Sequence, residues 1–443
     1  MSAHSHAHAP SREEVLRLID RPVPARIKTL SIAFAAIGTL AFLAGLFLAP
    51  DRAWRAFHIN WLYFTAISSA GVMFVAVQRI TTARWSRPII RFLEGYVAFL
   101  PVSLLFLVLI LTVGSGQIFP WTHEAPPVDE KQFWLSHGFV VARDIVSFAL
   151  LVALSVWYIY TCVRLDVGVV PEERRGGWAR GLRARMRQGF GDERRELHST
   201  HSRQGWLAVV LALVFGYVWT LLAFDLDMAL DMHFQSTLYG WWFFMTGWIG
   251  ALMSFSLITM AWRRYLMADD LITETHFHDL GKLCFAFTAF WGYLTFSQFL
   301  IIWYGNMAEE THWPRLRLIA PWKGVTFSAV MLAFAAPFFG LISKAAKLFF
   351  PTFILFAVCS LVGTWLQRYV TVYPSLYGTI DALPFGIWEI GIALMYLGIW
   401  GLCYTAFMEA FPKMRVVLQT SPYRDEVQVP VDPKTMEPLP AHE

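Results

Sequence analysis

The chain is poor in charge. Of its 443 residues only 15% are Asp, Glu, Lys or Arg, where a soluble protein of this size would carry nearer a quarter. Cysteine is scarce too: Cys162, Cys284, Cys359 and Cys403 are the only four, all inside apolar stretches. No CxxC, CxxCH or ferredoxin-type spacing occurs, so the chain lacks its own ligands for c-type haem or an iron–sulfur cluster. The four read as small buried hydrophobic side chains. Short segments of alternating polarity are missing, which excludes a transmembrane β-barrel. The first 28 residues are polar and basic, and the first apolar run starts too late for a cleavable signal peptide, so none is expected.

What the chain has is hydrocarbon. Hydrophobic residues make up 56% of it and the mean hydropathy is +0.48. Runs of 18 or more apolar residues recur, which predicts an all-α polytopic membrane protein with about ten transmembrane helices. The spans fall at 29–49, 55–78, 91–113, 133–163, 205–224, 238–262, 279–304, 322–342, 348–370 and 384–411. Twenty Trp and 15 Tyr suit aromatic belts at the two interfaces. The resulting division is a tail at 1–28, spans one to four over 29–163, a basic loop at 164–204, spans five to ten over 205–411, and a tail at 412–443.

Charge alternates from loop to loop. Arg12, Arg17, Arg21, Arg26 and Lys28 precede the first span, Arg79, Arg84, Arg87 and Arg91 follow the second, and 164–204 is Arg-rich. The intervening loops carry Glu124, Asp129 and Glu130, then Asp225, Asp227 and Asp231. By the positive-inside rule both termini are cytoplasmic. Only 306–321 departs, mixing Glu309 and Glu310 with Arg315 and Arg317. Segment 171–203 reads equally as an amphipathic helix on anionic headgroups or as a solvated loop. His4, His6 and His8 read as a disordered tail before a metal-binding one. The tail 415–443 is proline-rich, without a core, and is expected to be extended or to lie on a partner.

An ionisable group inside hydrocarbon costs several kcal/mol, so each one needs a reason. His137 and Asp144 stand seven residues apart in the fourth span, two turns and about 10 Å along one face, with Asp144 placed near mid-depth. Arg143 points about 100° away from Asp144, so the two cannot pair squarely. By depth, His58 on the second span, His137 on the fourth and Asp225 at the end of the fifth form a candidate quinone-binding pocket. Histidine titrates near neutrality and a carboxylate can take the relayed charge, which suits quinol oxidation. The two histidines read equally as interfacial side chains bonding backbone. Asp144, Arg143, Glu94, His278, Asp279, Lys282 and Gln298 are candidates for a proton path. For Asp279 and its neighbours the competing reading is a helix cap, where the dipole favours a carboxylate. Ser297 and Gln298 read alternatively as an interhelical hydrogen bond worth about 1 kcal/mol, and Glu389 as a shallow snorkelling acid.

The seventh span carries FHDLGKL at 277–283 and SQFLIIWYGNMAEET at 297–311. These stretches resemble the NrfD/PsrC family of quinone-interacting membrane subunits, and within it the ActF-type subunits of bacterial alternative complex III, a quinol:cytochrome c oxidoreductase. The resemblance implies two four-helix bundles, spans two to five and six to nine, flanked by the first and last. It implies a place in a respiratory electron-transport complex of the bacterial inner (cytoplasmic) membrane. The expected partners are an ActC-like homologous membrane subunit, which oxidises the quinol, an iron–sulfur/molybdopterin-like subunit, c-type cytochrome subunits, a terminal oxidase and membrane lipids; nucleic acid is not among them. Quinone or quinol is the implied ligand, with haem c and iron–sulfur clusters in the partner subunits and nothing bound covalently here. Where the resemblance implies an acidic residue this chain has Gln298, and a neutral amide cannot shuttle a proton by ionising.

Two other classes of function fit. A secondary transporter would have helices broken near the midplane, and Pro101 and Pro337 sit in spans three and eight. A scaffold of the complex would leave every intramembrane polar residue structural.

Overall fold

The computed structural model describes residues 10–171, 177–424 and 426–427; His4, His6 and His8 and the end of the C-terminal tail lie outside the described residues. Among the described residues ten helices are long and apolar enough to cross a membrane, and there is no β-strand. They are α1 (Ala25–Leu48), α2 (Pro50–Ile80), α3 (Ile90–Thr112), α4 (His137–Val169), α5 (Glu193–Leu230), α6 (Tyr239–Leu266), α7 (Glu274–Gly305), α8 (Trp322–Gly340), α9 (Phe350–Tyr377) and α10 (Ile387–Ala410). The apolar runs become helices because hydrocarbon offers no partner to a backbone N–H or C=O outside the segment itself. The chain is an all-α polytopic membrane protein.

Local signals set the helix ends. Asp192 accepts from the backbone N–H groups of Arg194 and Arg195, so α5 begins at Glu193 rather than at 205, a full polar stretch before its apolar run. Asn306 ends α7 in the left-handed conformation at φ +46°, which asparagine tolerates better than most residues. That gives the IWYGN motif a structural meaning.

Helices α2 to α5 form one bundle, each packing on the next and α5 returning to α2; α6 to α9 form a second in the same way. The bundles meet through α2, α5, α6 and α9, while α1 pairs with α10 along the side of α2 and α3. Of the most apolar stretch of α2, 94% is buried, against 17% for α1 and for α8. So α2 is the central post, and α1 and α8 present side chains such as Phe47 and Phe339 outward. The α1–α10 seam is held by close backbone approach: a Cβ added at Gly38 would lie 2.3 Å from the Met395 nitrogen, and one at Gly398 would lie 2.2 Å from that of Ala35. Small residues let helices pack this closely where hydrophobic drive between them is absent.

Two helices deviate next to proline. A 3-10 turn, Gly95–Phe99, precedes Pro101 in α3, and a π turn, Met331–Ala335, precedes Pro337 in α8. Proline has no N–H to offer the carbonyl four residues back and its ring crowds that carbonyl. The preceding turn therefore tightens in one case and widens in the other.

The face of the molecule holding the first and last described residues (the termini face) is folded rather than loose. Within the basic segment, helix Arg180–Arg187 packs under α4 and α10: buried Arg183 donates to the Ala410 carbonyl at 2.9 Å, and Arg187 Nε donates to that of Val167 at 2.9 Å. Over Arg180–Arg187 the segment is therefore a helix with a buried face rather than a solvated loop; Arg183 and Arg187 are spent on carbonyls, while Arg180 and Arg185 are exposed. The start of the C-terminal tail likewise turns back onto its own chain, burying Met414, Val416 and Val417 completely, so it is not an extended arm there.

Candidate functional site

Three groups of buried charge define the interior. The first lies at the end of the first bundle opposite the termini, the far end. On α4, Arg143 Nη2 donates to Asp225 of α5 at 2.7 Å, while its Nε stands 3.7 Å from Asp144. Trp134 Nε1 donates to the other Asp225 oxygen at 2.8 Å, and the guanidinium lies 3.9 Å from the Trp134 ring centroid. One cation thus faces two buried carboxylates. Asp225 is held by two hydrogen bonds, whereas neither Asp144 oxygen has a protein hydrogen-bond partner. Asp144 is about 10 Å from the helix start, in the far-end group rather than at mid-depth, because the end of α5 reaches in to meet it.

His58 sits beside this group, fully buried on α2, with Nε2 2.7 Å from the Leu226 carbonyl. A carbonyl only accepts, so Nε2 carries the hydrogen and a neutral ring leaves its Nδ1 lone pair open; Nδ1 has no protein partner. His137, by contrast, is exposed, and connects to His58 through a run of rings, Trp121 then Phe119. No hydrogen bond or ion pair joins His58, His137 and Asp225 to one another. Within the candidate pocket, His58 Nε2 is engaged by backbone and Asp225 by Arg143 and Trp134.

Below His58 the same face of α2 carries Thr65 and Ser69. At 100° per residue the three fall within about 40° of each other, spread over about 16 Å of helix axis. Neighbouring Trp61 packs on Phe148 of α4 and Trp219 of α5, so this face looks into the first bundle. The hydroxyls of Thr65 and Ser69 are buried and, like His58 Nδ1, lack a protein hydrogen-bond partner.

The second group closes the termini end of the same bundle. Arg91 of α3 pairs with Glu94 at 2.6 Å and with Asp166 of α4. Arg415, from the returning tail, donates its Nε to Glu94 at 2.6 Å and reaches Cys162 Sγ at 3.3 Å. Backbone N–H groups of Val416 and Val417 both donate to Asp166 at 2.9 Å. Burial pulls the Arg415 pKa down, but Glu94, Cys162 and Tyr158 around it together outweigh that and the net shift is upward. A cavity of about 50 Å³, lined by Cys162, Asp166, Gln204 and Arg415 among others, borders the group; at about 30 Å³ each it has room for one or two water molecules. Asp144 and Asp166 are about 33 Å apart on α4, close to the thickness of a bilayer core.

The third group joins the bundles. Asp227, two residues beyond Asp225, stands 3.6 Å from Arg368 of α9, both wholly buried. Arg368 also donates to the Phe243 carbonyl at 2.6 Å and lies over the Phe243 ring. Residues 225 to 227 therefore tie α4, α2 and α9 in turn. Nearby Arg317 is buried with its N–H groups on the carbonyls of Val370, Trp313 and Thr371 and on Ser375 Oγ; burial lowers its pKa to about 10.

The remaining candidates lie elsewhere. His278, Asp279 and Lys282 are near the start of α7 on the termini face, where Lys282 pairs locally with Asp279 at 2.7 Å; the helix begins at Glu274 and is capped by Thr273 and His276, so Asp279 stands past the first turn and is not the cap. Gln298 belongs to the second bundle. Glu389 does not snorkel: it is 1% exposed, gripped by Arg52 at 3.1 and 2.7 Å, and accepts from Tyr373 Oη and the Gly386 N–H. It is a helix cap with a counter-ion from α2. Among the described residues no three His, Cys, Asp or Glu side chains converge as a metal site. No protein-family model and no curated protein matches this chain.

Proposed function

We propose that this chain is a membrane subunit of a respiratory quinol:cytochrome c oxidoreductase, and that within it the first bundle conducts protons. The observation that carries the proton role is the set of unpartnered buried polar atoms on one face of α2, His58 Nδ1, Thr65 Oγ1 and Ser69 Oγ, strung between buried charge at the two ends of the bundle. Side chains that served only to pack would be apolar there, since an unsatisfied buried hydroxyl costs about 1–3 kcal/mol.

The chemistry follows from the contacts. Asp144 can take a proton without breaking a hydrogen bond, whereas each Asp225 oxygen already accepts one. His58 can accept on Nδ1 while keeping its Nε2–H on Leu226. The hydroxyls of Thr65 and Ser69 both donate and accept. The steps from His58 to Thr65 and on to Ser69 are about 10 and 6 Å along the axis, so intervening water completes the relay. The Glu94–Arg91–Asp166–Arg415 group meets the path at the other end. With the basic loops cytoplasmic, the far end faces the periplasm of a bacterial inner membrane.

The place in a complex rests on the seventh-span resemblance to the NrfD/PsrC family and on the two-bundle architecture that resemblance implies. Quinol oxidation is assigned to an ActC-like neighbour, with electrons passing to iron–sulfur and c-type cytochrome partners. A transporter is the second reading, favoured by the turns broken before Pro101 and Pro337; both helices nevertheless run on through the break.

The test is to isolate the complex through a tag on this chain, identify its subunits, and reconstitute it in vesicles. Thr65→Val with Ser69→Ala should cut proton translocation per quinol several-fold while uncoupled quinol oxidation continues. Unchanged proton stoichiometry removes the α2 path; a purified assembly without c-type cytochrome removes the respiratory complex.

A further inference from the structure

The second bundle holds a cavity that the proton path does not use, and its occupant is independent of that path. The cavity lies between α7, α8 and α9 under the surface helix Ala308–Arg317, encloses about 200 Å³, and is walled by Trp242, Trp291 and Trp313 with aliphatic side chains between. It is larger than the cavity of about 150 Å³ that holds a benzene molecule in an apolar core. Two of its lining residues, Phe299 and Leu318, are about half exposed, 48% and 52%. The cavity thus reaches the lipid-facing side of the bundle.

A second pocket of about 520 Å³ and mixed polarity opens beside it, lined by Gln235, Ser236, Thr237 and Glu310 alongside apolar side chains such as Phe224 and Met228, and the two share Gln298 and Ile302. Gln298 is therefore the junction between a carbon-walled chamber and a vestibule on the far face that carries polar groups among its apolar ones. Gln298 and Gln367 are 7% and 4% exposed, and each has a buried amide atom, Oε1 and Nε2, without a protein partner. Whichever way the amides are turned, buried atoms of this kind call for a ligand that answers them. Arg317 lines the chamber but has its N–H groups engaged on backbone carbonyls and Ser375, so the chamber itself is not built for an anion. The one carboxylate of the vestibule, Glu310, suits an ammonium group.

Hydrocarbon below, hydrogen-bonding groups at the junction and a carboxylate above describe an amphiphile, in that order. We propose that this site binds one glycerophospholipid with an amine head from the leaflet on the far face. Its acyl chain fills the tryptophan-walled chamber, its ester region meets Gln298 and Gln367, and its ammonium lies near Glu310. Entry is sideways from the membrane, past Phe299 and Leu318.

The full chain, purified in detergent and stripped of loosely held lipid, is weighed by native mass spectrometry after exposure to mixed vesicles of phosphatidylethanolamine and phosphatidylglycerol. The wild type should retain one phosphatidylethanolamine. Ala329→Phe, which fills the chamber from a wall residue that is 3% exposed, should abolish retention at unchanged thermal stability. Gln298→Leu should weaken it about fivefold, the equivalent of one hydrogen bond, and decides the matter alone if Ala329→Phe does not fold. Equal retention by wild type and both variants, no stoichiometric lipid, preferential phosphatidylglycerol, or a retained quinone mass would each overturn the assignment. Each of those outcomes leaves the proton path standing.

Discussion

The two four-helix bundles share a frame but fill it differently. In α2–α5 the ionisable groups cluster at both ends, Arg143 between Asp144 and Asp225, and Arg91 and Arg415 around Glu94 and Asp166, with a narrow polar face of α2 between them. In α6–α9 the interior polar groups around the cavity are mostly amides and hydroxyls, and the cavity walls are carbon. Its buried arginines, Arg317 and Arg368, lean on backbone carbonyls and aromatic rings more than on carboxylates. The contrast shows that helix count and connectivity do not decide what a bundle carries; the depth at which a few ionisable side chains are placed does. Charge at both ends with hydroxyls between suits a proton, and a carbon chamber under a polar rim suits an amphiphile.

The largest effect should come from unpairing the termini-end group. Glu94 faces both Arg91 and Arg415 with no exposure, and removing one partner of a buried ion pair typically costs about 3–5 kcal/mol. Glu94→Ala should therefore lower thermal stability in detergent severely or prevent accumulation. Gln298→Leu in the second bundle should change stability by no more than about 1 kcal/mol. Comparable unfolding temperatures for the two variants would erase the distinction between the bundles.

Next in size is a functional effect without a structural one. Asp144→Asn removes a carboxylate that accepts no protein hydrogen bond, so the fold should hold while proton release per quinol in the reconstituted complex drops by about tenfold, the scale of a lost acid–base group at its low end. Gln298→Leu should leave proton release unchanged. If both variants, or neither, alter it, the path does not belong to the first bundle.

Much of this architecture was legible in the sequence because the bilayer imposes a local rule. Every expected span coincides with a helix, and the largest discrepancy, the start of α5 at Glu193, arises where the helix leaves the apolar run behind and is fixed instead by the Asp192 cap. The charge partners were not legible. Arg91 meets Asp166 across 75 residues, Arg415 meets Glu94 across 321, and Arg52 meets Glu389 across 337, and no local pattern encodes such a meeting. Arg91 reads in sequence as a loop cation and Glu389 as a snorkelling acid because each is judged only by its distance from the membrane edge. Depth arithmetic brought His58 and Asp225 to one level, since helix ends share it, but set Asp144 at mid-depth and so missed its place beside Arg143 and Asp225. It failed for His137, because equal depth does not fix which way a side chain faces.

The smallest expected effect concerns the strap that the returning tail lays on the first bundle. Beyond Arg415 the tail packs Val417 and Leu418 on Leu165 and Leu197, and its last described residues are held by Glu426, which accepts from His198 Nε2 at 3.0 Å and from Arg194 Nε at 2.8 Å. Those two hydrogen bonds, that from His198 first, lower the Glu426 pKa below the usual carboxylate range. A depressed carboxylate contributes above its unfolded pKa and loses that contribution as pH falls through its folded value, so the latch is made at neutral pH and released in acid. Glu426 is exposed and screened, and the effect is correspondingly slight. Glu426→Gln reproduces the loss of charge at constant pH, which keeps the intrinsic pH dependence of amide exchange out of the comparison. Deuterium exchange at residues 418–421 should then speed up by less than about threefold. Exchange at the Val416 and Val417 amides should follow only weakly, because Asp166 still accepts both. Exchange in α6–α9 should not change. A variant that loosened both bundles equally would mean that the tail braces the whole molecule rather than closing the charged end of one bundle.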